Sequence, residues 1–182
     1  PVTSYNIGAC LRALGRFVSA RRYFDEALTT TAPDGPPLSK TLVRETEAFL
    51  GEIDRLTVVL TVELDPPDAR IAVDGRPLER ADEGERVATL AGTLPPGPGT
   101  RAPAATFEIR MDPGAHVITL SRKGHRDAVV SKTLAPGARE RLELSIDRLP
   151  ATLKIAASEP GAVVTIDGRD VGMAPVSIER PG

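Results

Sequence analysis

The chain states one motif twice, and that repetition limits its fold more than any other feature. Asp65 to Gly75 reads D-P-P-D-A-R-I-A-V-D-G, and Ser158 to Gly168 reads S-E-P-G-A-V-V-T-I-D-G. At one constant offset, Leu60, Val62, Pro67, Ala69, Ile71, Val73, Asp74, Gly75 and Arg76 align with Leu153, Ile155, Pro160, Ala162, Val164, Ile166, Asp167, Gly168 and Arg169. Each copy runs through alternating apolar residues, a proline-bearing turn, a second alternating run and an Asp-Gly pair. Period-two alternation predicts strands. Asp-Gly accepts the positive φ values of tight hairpin turns, so each copy predicts two strands, with Pro67 or Pro160 in the turn between them and a tight turn at Asp74-Gly75 or Asp167-Gly168 closing the second.

The copies differ in length. Pro113-Gly114 marks a further turn in the first copy, and Gly114 lies 39 residues beyond Gly75 (114 minus 75), whereas Gly182 lies 14 beyond Gly168 (182 minus 168). The first copy therefore carries about 25 extra residues, placed between Leu78 and Thr106. Acidic at its start and rich in Pro and Gly at its end, the stretch 79–105 is expected to be a long exposed loop. By the same alignment the second copy is expected to be incomplete at Gly182, with roughly half its strands absent.

With 41% hydrophobic residues, 3% aromatic and no Trp, cores in these 182 residues must be built from Leu, Val, Ile and Ala. A formal charge of -2, with basic residues scattered among 25 acids, gives no clustered footprint for nucleic acid. One cysteine, Cys10, excludes an internal disulfide and thiolate metal sites. No apolar run approaches the roughly 18 residues of a membrane span, and no signal peptide is visible. A chain opening at Pro1 reads as an excised segment.

Before the strands the period is helical. Ile7, Cys10, Leu11 and Leu14 form an i, i+3, i+4, i+7 stripe, expected to be the buried face of a first helix that ends at Gly15, with Cys10 an inert buried thiol. Phe17, Ala20, Phe24, Ala27 and Leu28 make a second stripe, so two antiparallel helices can approach closely. After a turn at 32–37, a third helix is expected from about Pro37 to Leu56 with Leu42, Val43, Phe49, Leu50, Ile53 and Leu56 apolar.

Tyr5-Asn6-Ile7-Gly8, Leu11, Leu14-Gly15-Arg16-Phe17, Ala20, Phe24 and Ala27-Leu28 resemble the signature of the tetratricopeptide repeat, with Ser4 where an aromatic is usual and the closing proline one residue late at Pro33. The resemblance implies a helical hairpin, capped by the third helix, and further repeats upstream. It also implies a peptide-binding side. Tyr5, Ala9 and Arg12 share one face of the first helix, with Asn6 beside them, and these four are the ligand-facing candidates.

From Thr57 the period is two: Val58, Leu60, Val62 and Leu64; Ile71 and Val73; Phe107, Ile109 and Met111; Ile118 and Leu120; Leu142, Leu144 and Ile146. With D-P-P-D-A, V-D-G-R and D-P-G-A-H present, residues 57–149 resemble a PEGA domain, and 150–182, carrying E-P-G-A, resemble the first half of another. The expected architecture is a multidomain α and β chain: helical hairpin and capping helix over 1–56, an antiparallel β-sandwich over 57–149, and an incomplete second sandwich over 150–182.

No residue set argues for chemistry, cofactor or metal. His116 and His125 lack an accompanying nucleophile and are read as structural. Asp65, Asp68, Asp74, Asp167 and Asp170 invite a calcium reading, but Ser158 and Gly161 replace Asp65 and Asp68 in the second copy, so Asp74 and Asp167 are read as turn formers. The PPGPG stretch from Pro95 precedes neither a Lys-Ser/Thr pair nor a helix, so it is not a phosphate loop.

The function expected from these resemblances is non-catalytic. The helices would bind protein segments, and the sandwiches would act as spacers or surface-adhering modules, with cell-wall or surface polymer a further partner, in a bacterial envelope, periplasmic or surface protein. Two alternatives are a regulatory module of a cytosolic signalling protein and a carbohydrate-binding accessory domain of a hydrolase. The second predicts an aromatic platform for which two Tyr and four Phe supply little.

Overall fold

A computed structural model describes residues 1–30, 36–83, 86–159 and 161–180. Pro33, most of the expected 32–37 turn and Pro160 lie outside the described residues. The described chain is three helices followed by fourteen strands, divided into two compact units. The first comprises 1–122 and 127–146, the second 123–126 and 147–182. The helices thus share a unit with the strands that follow, instead of forming a domain of their own, and the later boundary falls at 146 instead of 149.

Helix α1 spans Val2–Ala13 and α2 Phe17–Thr29, joined through Gly15 at φ 72°. Helix α3 spans Lys40–Leu56 and starts later than Pro37 because Ser39 caps it, its hydroxyl accepting from Leu42 N. Ala20, Phe24 and Ile53 are fully buried among Tyr5, Ala9, Leu11, Phe17, Phe49 and Leu50. On α1 the inward face is therefore Tyr5, Gly8, Ala9 and Leu11, of which only Leu11 belongs to the predicted stripe. Ile7 and Leu14 are 37% and 73% exposed, and Cys10 is exposed. Gly8 sets this rotation: a Cβ there would lie 2.8 Å from the Phe24 ring, so α1 meets α2 along the one line where it has no side chain.

The first unit holds two sheets. One has β10 (Arg139–Ser145), β1 (Val58–Asp65), β7 (Thr106–Met111), β5 (Arg86–Leu90) and β4 (Glu79–Glu83) in that order. The other has β3 (Arg76–Pro77), β2 (Arg70–Val73), β8 (Gly114–Ser121) and β9 (Ala128–Leu134), with β6 (Thr100–Arg101) also on β2. Strand β1 alternates as expected, with Val58, Leu60, Val62 and Leu64 buried. These residues join Ile71, Val73, Ile109, Met111, Ile118 and Leu120 in one cluster drawn from both sheets.

Two expectations need correction. The first sheet is mixed, because β10 runs parallel to β1 and β5 pairs parallel to β7. The stretch 79–105 is not an open loop either: it supplies β4, β5 and β6, and it buries Thr89, Ala91 and Ala102. Its apolar residues are too small and too few to stand out as strands, yet β4 and β5 extend an existing edge, where backbone pairing supplies what side chains do not.

In the second unit β11 (Ala151–Ile155) pairs with β14 (Val176–Arg180), and β12 (Val163–Ile166) with β13 (Arg169–Met173). The repetition extends to register. Leu60 and Val62 face Ile109 and Phe107 in the first unit; their counterparts Leu153 and Ile155 face Ile178 and Val176 in the second. The two Asp-Gly turns agree as well, with φ 53° and 68° at Asp74-Gly75 and 50° and 75° at Asp167-Gly168. Pro67 sits in the turn after β1, and Gly114, following Pro113, opens β8 at φ 127°.

Candidate functional site

The predicted face of α1 is occupied from within. Tyr5 packs at a tilt against Phe24 at 6.0 Å between ring centroids, and burial, followed by the Glu45 carboxylate, raises its pKa above the ordinary tyrosine value. Arg12 lies 4.2 Å over the Phe49 ring and donates from Nε to Glu52 Oε2 at 2.8 Å. Ala9 packs against the helical core. Asn6 alone of the four is exposed. The stripe was legible as a shared face, but its occupants are α2 and α3, which the i, i+4, i+7 spacing alone could not identify.

Asp112 joins the helices to the sheets. Its Oδ1 accepts from Val18 N at 2.8 Å, supplying the first turn of α2 with the carboxylate cap that its own N-cap residue, Arg16, does not provide. Burial raises the Asp112 pKa, against the opposing pull of the Val18 and Phe17 amides and of His116. His116 Nδ1 lies 2.7 Å from Asp74 Oδ2 and its Nε2 2.9 Å from Asp112 O, while Asp74 Oδ1 accepts from Val117 N. Asp74 is thus both turn former and anchor. The recess among these residues measures about 180 Å³, and the His116 ring is committed to two acceptors within it. His125 contacts its own turn through Lys123 O at 3.3 Å.

The larger feature is a cleft of about 720 Å³ between the helices and the outer face of the first sheet. Its floor is a single cross-strand row: Arg139 opposite Val59, Val59 opposite Arg110, Arg110 opposite Leu90, and Leu90 opposite Glu79. Five strands each contribute one residue, two of them from the inserted segment. Its roof is Val18, Arg21, Arg22 and Asp25 of α2 with Asp54 and Arg55 of α3.

Gly137 clamps one wall. Its N–H donates to Leu56 O at 2.9 Å, and a Cβ there would lie 2.4 Å from Arg55 O, so the β9–β10 turn rests on the end of α3. The carboxylates of the cleft are engaged: Asp54 and Asp25 with Arg21, and Glu79 with Arg22 at 3.6 Å. Sequence reasoning missed this site, because its arginines are spread over 118 positions (139 minus 21) on two helices and two strands, and only the tertiary fold brings them together.

Among the described residues no group of three or more His, Cys, Asp or Glu could hold a metal ion, and no helix is long and apolar enough to cross a membrane. No curated protein matches the chain. Residues 151–182 match the PEGA domain family, the stretch that forms β11 to β14.

Proposed function

We propose that this chain is a non-catalytic spacing and protein-binding segment of a bacterial envelope-associated protein. In this reading α1 and α2 form a tetratricopeptide-like hairpin capped by α3, residues 57–146 form a PEGA-like sandwich enlarged by the β4–β5 hairpin, and the matched segment is a second PEGA unit. The observation that carries it is the shared register: Leu60 opposite Ile109 and Leu153 opposite Ile178. A pairing scheme repeated along one chain suits a serial spacer, since successive copies add length without altering the fold of each unit. The helical face offered to a partner is the outer one, including Asn6 and the exposed Ile7 and Leu14, because Tyr5, Ala9 and Arg12 are engaged inside.

The test is capture from a solubilised bacterial envelope extract and from purified wall polymer on the immobilised chain, beside a form ending at Ile146. The expected result is protein capture by both forms, weakened when Asn6, Ile7 and Leu14 are changed together to Ser. Capture of wall polymer lost in the shorter form would move the binding role to the PEGA-matched segment, and no capture by either form would refute the binding part of the reading.

A further inference from the structure

The cleft above the first sheet holds more positive than negative charge, and the arrangement of that charge points to a ligand. Arg21 is held by Asp54 and Asp25, and Arg22 by Glu79, so every carboxylate lining the cleft is already matched to an arginine of α2. Of the other three cleft arginines, Arg110 has an interaction of its own, whereas Arg55 and Arg139 have, among the described residues, no carboxylate within ion-pair distance. They are not free to separate. The Gly137 N–H bond to Leu56 O and the Val59 N–H bond to Ala138 O, at 3.0 Å, fix the backbones bearing both guanidinium groups at one end of the cleft.

Two like charges lining one cavity repel, and an oxyanion bound between them reverses the sign of that interaction. Guanidinium forks match carboxylate and phosphate geometry. The rest of the cleft suits an organic body, since Val18, Val59 and Leu90 give apolar walls. We propose that this cleft is a binding site for a small organic oxyanion, its carboxylate or phosphate held between Arg55 and Arg139. The site goes beyond the spacer reading and does not depend on it, since it lies wholly within the first unit and two of its floor residues come from the segment that the second copy lacks.

The experiment is titration of the full chain with citrate and with inorganic phosphate at ionic strength matched by chloride, read by calorimetry and by the shift in Tm. Saturable binding of at least one anion is expected. The R55A/R139A double variant should weaken it about tenfold or more, while R169A in the second unit leaves it unchanged. Arg55 and Arg139 are both exposed, so the double variant should fold, and its own Tm without anion should equal or exceed that of the parent as the repulsion is removed. Binding of citrate alone would assign a carboxylate ligand, and binding of phosphate alone a phosphate ligand. Absence of saturable binding by either anion, or full binding by the double variant, would overturn the proposal.

Discussion

Asp112 concentrates several demands on one carboxylate. It caps α2 from 94 residues away, is half-buried, and its backbone carbonyl accepts from His116. Replacing it with Ala removes a helix cap and leaves amide donors unmet, so Asp112→Ala should lower unfolding free energy by about 1–2 kcal/mol in urea titrations. Asn keeps the Oδ1 acceptor while discarding the buried charge, so Asp112→Asn should equal or exceed the parent at neutral pH. The sign of its pH dependence follows from the raised folded-state pKa. Between the unfolded and folded values the native state binds more protons, so the parent gains stability as pH falls through that window and loses it as pH rises. The advantage of the Asn variant should therefore be greatest near neutrality and shrink on acidification; an advantage that widened in acid would contradict burial as the dominant cause. Cys10 makes a simpler residue-scale case. Its position in an apolar-looking stripe predicted an inert thiol, but the helix is rotated by Gly8 and the thiol is exposed. Native protein should label fully with a maleimide without denaturant, and protection until unfolding would return Cys10 to the core.

At the scale of elements, legibility followed local periodicity. Strand β1 and both Asp-Gly hairpins were readable because alternation and turn chemistry are properties of neighbouring residues. Strands β4 and β5 were not, because Glu79–Glu83 and Arg86–Leu90 owe their form to an edge created by distant residues, with Leu90 meeting Arg110. The cleft shared that fate, being a product of register across five strands. The second copy shows what the first would be without the insertion: β13 passes to β14 across only Ala174 and Pro175. Replacing 79–105 by a short turn should therefore leave the pairing of β1 with β7 intact and preserve a cooperative melt. Its Tm should fall, because the deletion removes buried Ala91 and Ala102 and the Leu94 carbonyl to which Arg76 donates, a loss of about 2 kcal/mol. Loss of cooperativity in a thermal scan would show that the hairpin is needed for the fold itself.

At the scale of the whole molecule the two units differ in how much they enclose. The first gathers seventeen buried residues into one cluster. In the second, Ala174 is the one buried residue among those described, while Leu153, Val163 and Met173 are 44%, 61% and 66% exposed. Register is preserved between the copies but burial is not, because the strands that close the first core, β8 to β10, have no counterpart among the described residues of the second unit. Backbone pairing without an enclosed apolar face contributes little net stability, since the hydrogen bonds exchange with water while the ordering entropy is paid in full. The heat absorbed on melting should thus come almost wholly from the first unit. A chain ending at Ile146 should melt cooperatively in calorimetry, with a Tm and unfolding enthalpy close to those of the parent, and the isolated 147–182 peptide should give no transition. A parent enthalpy well above that of the shortened chain would show that the second unit unfolds cooperatively in spite of its exposed strand faces, and a peptide that melts cooperatively alone would show that strand pairing suffices for a PEGA-matched segment of this size.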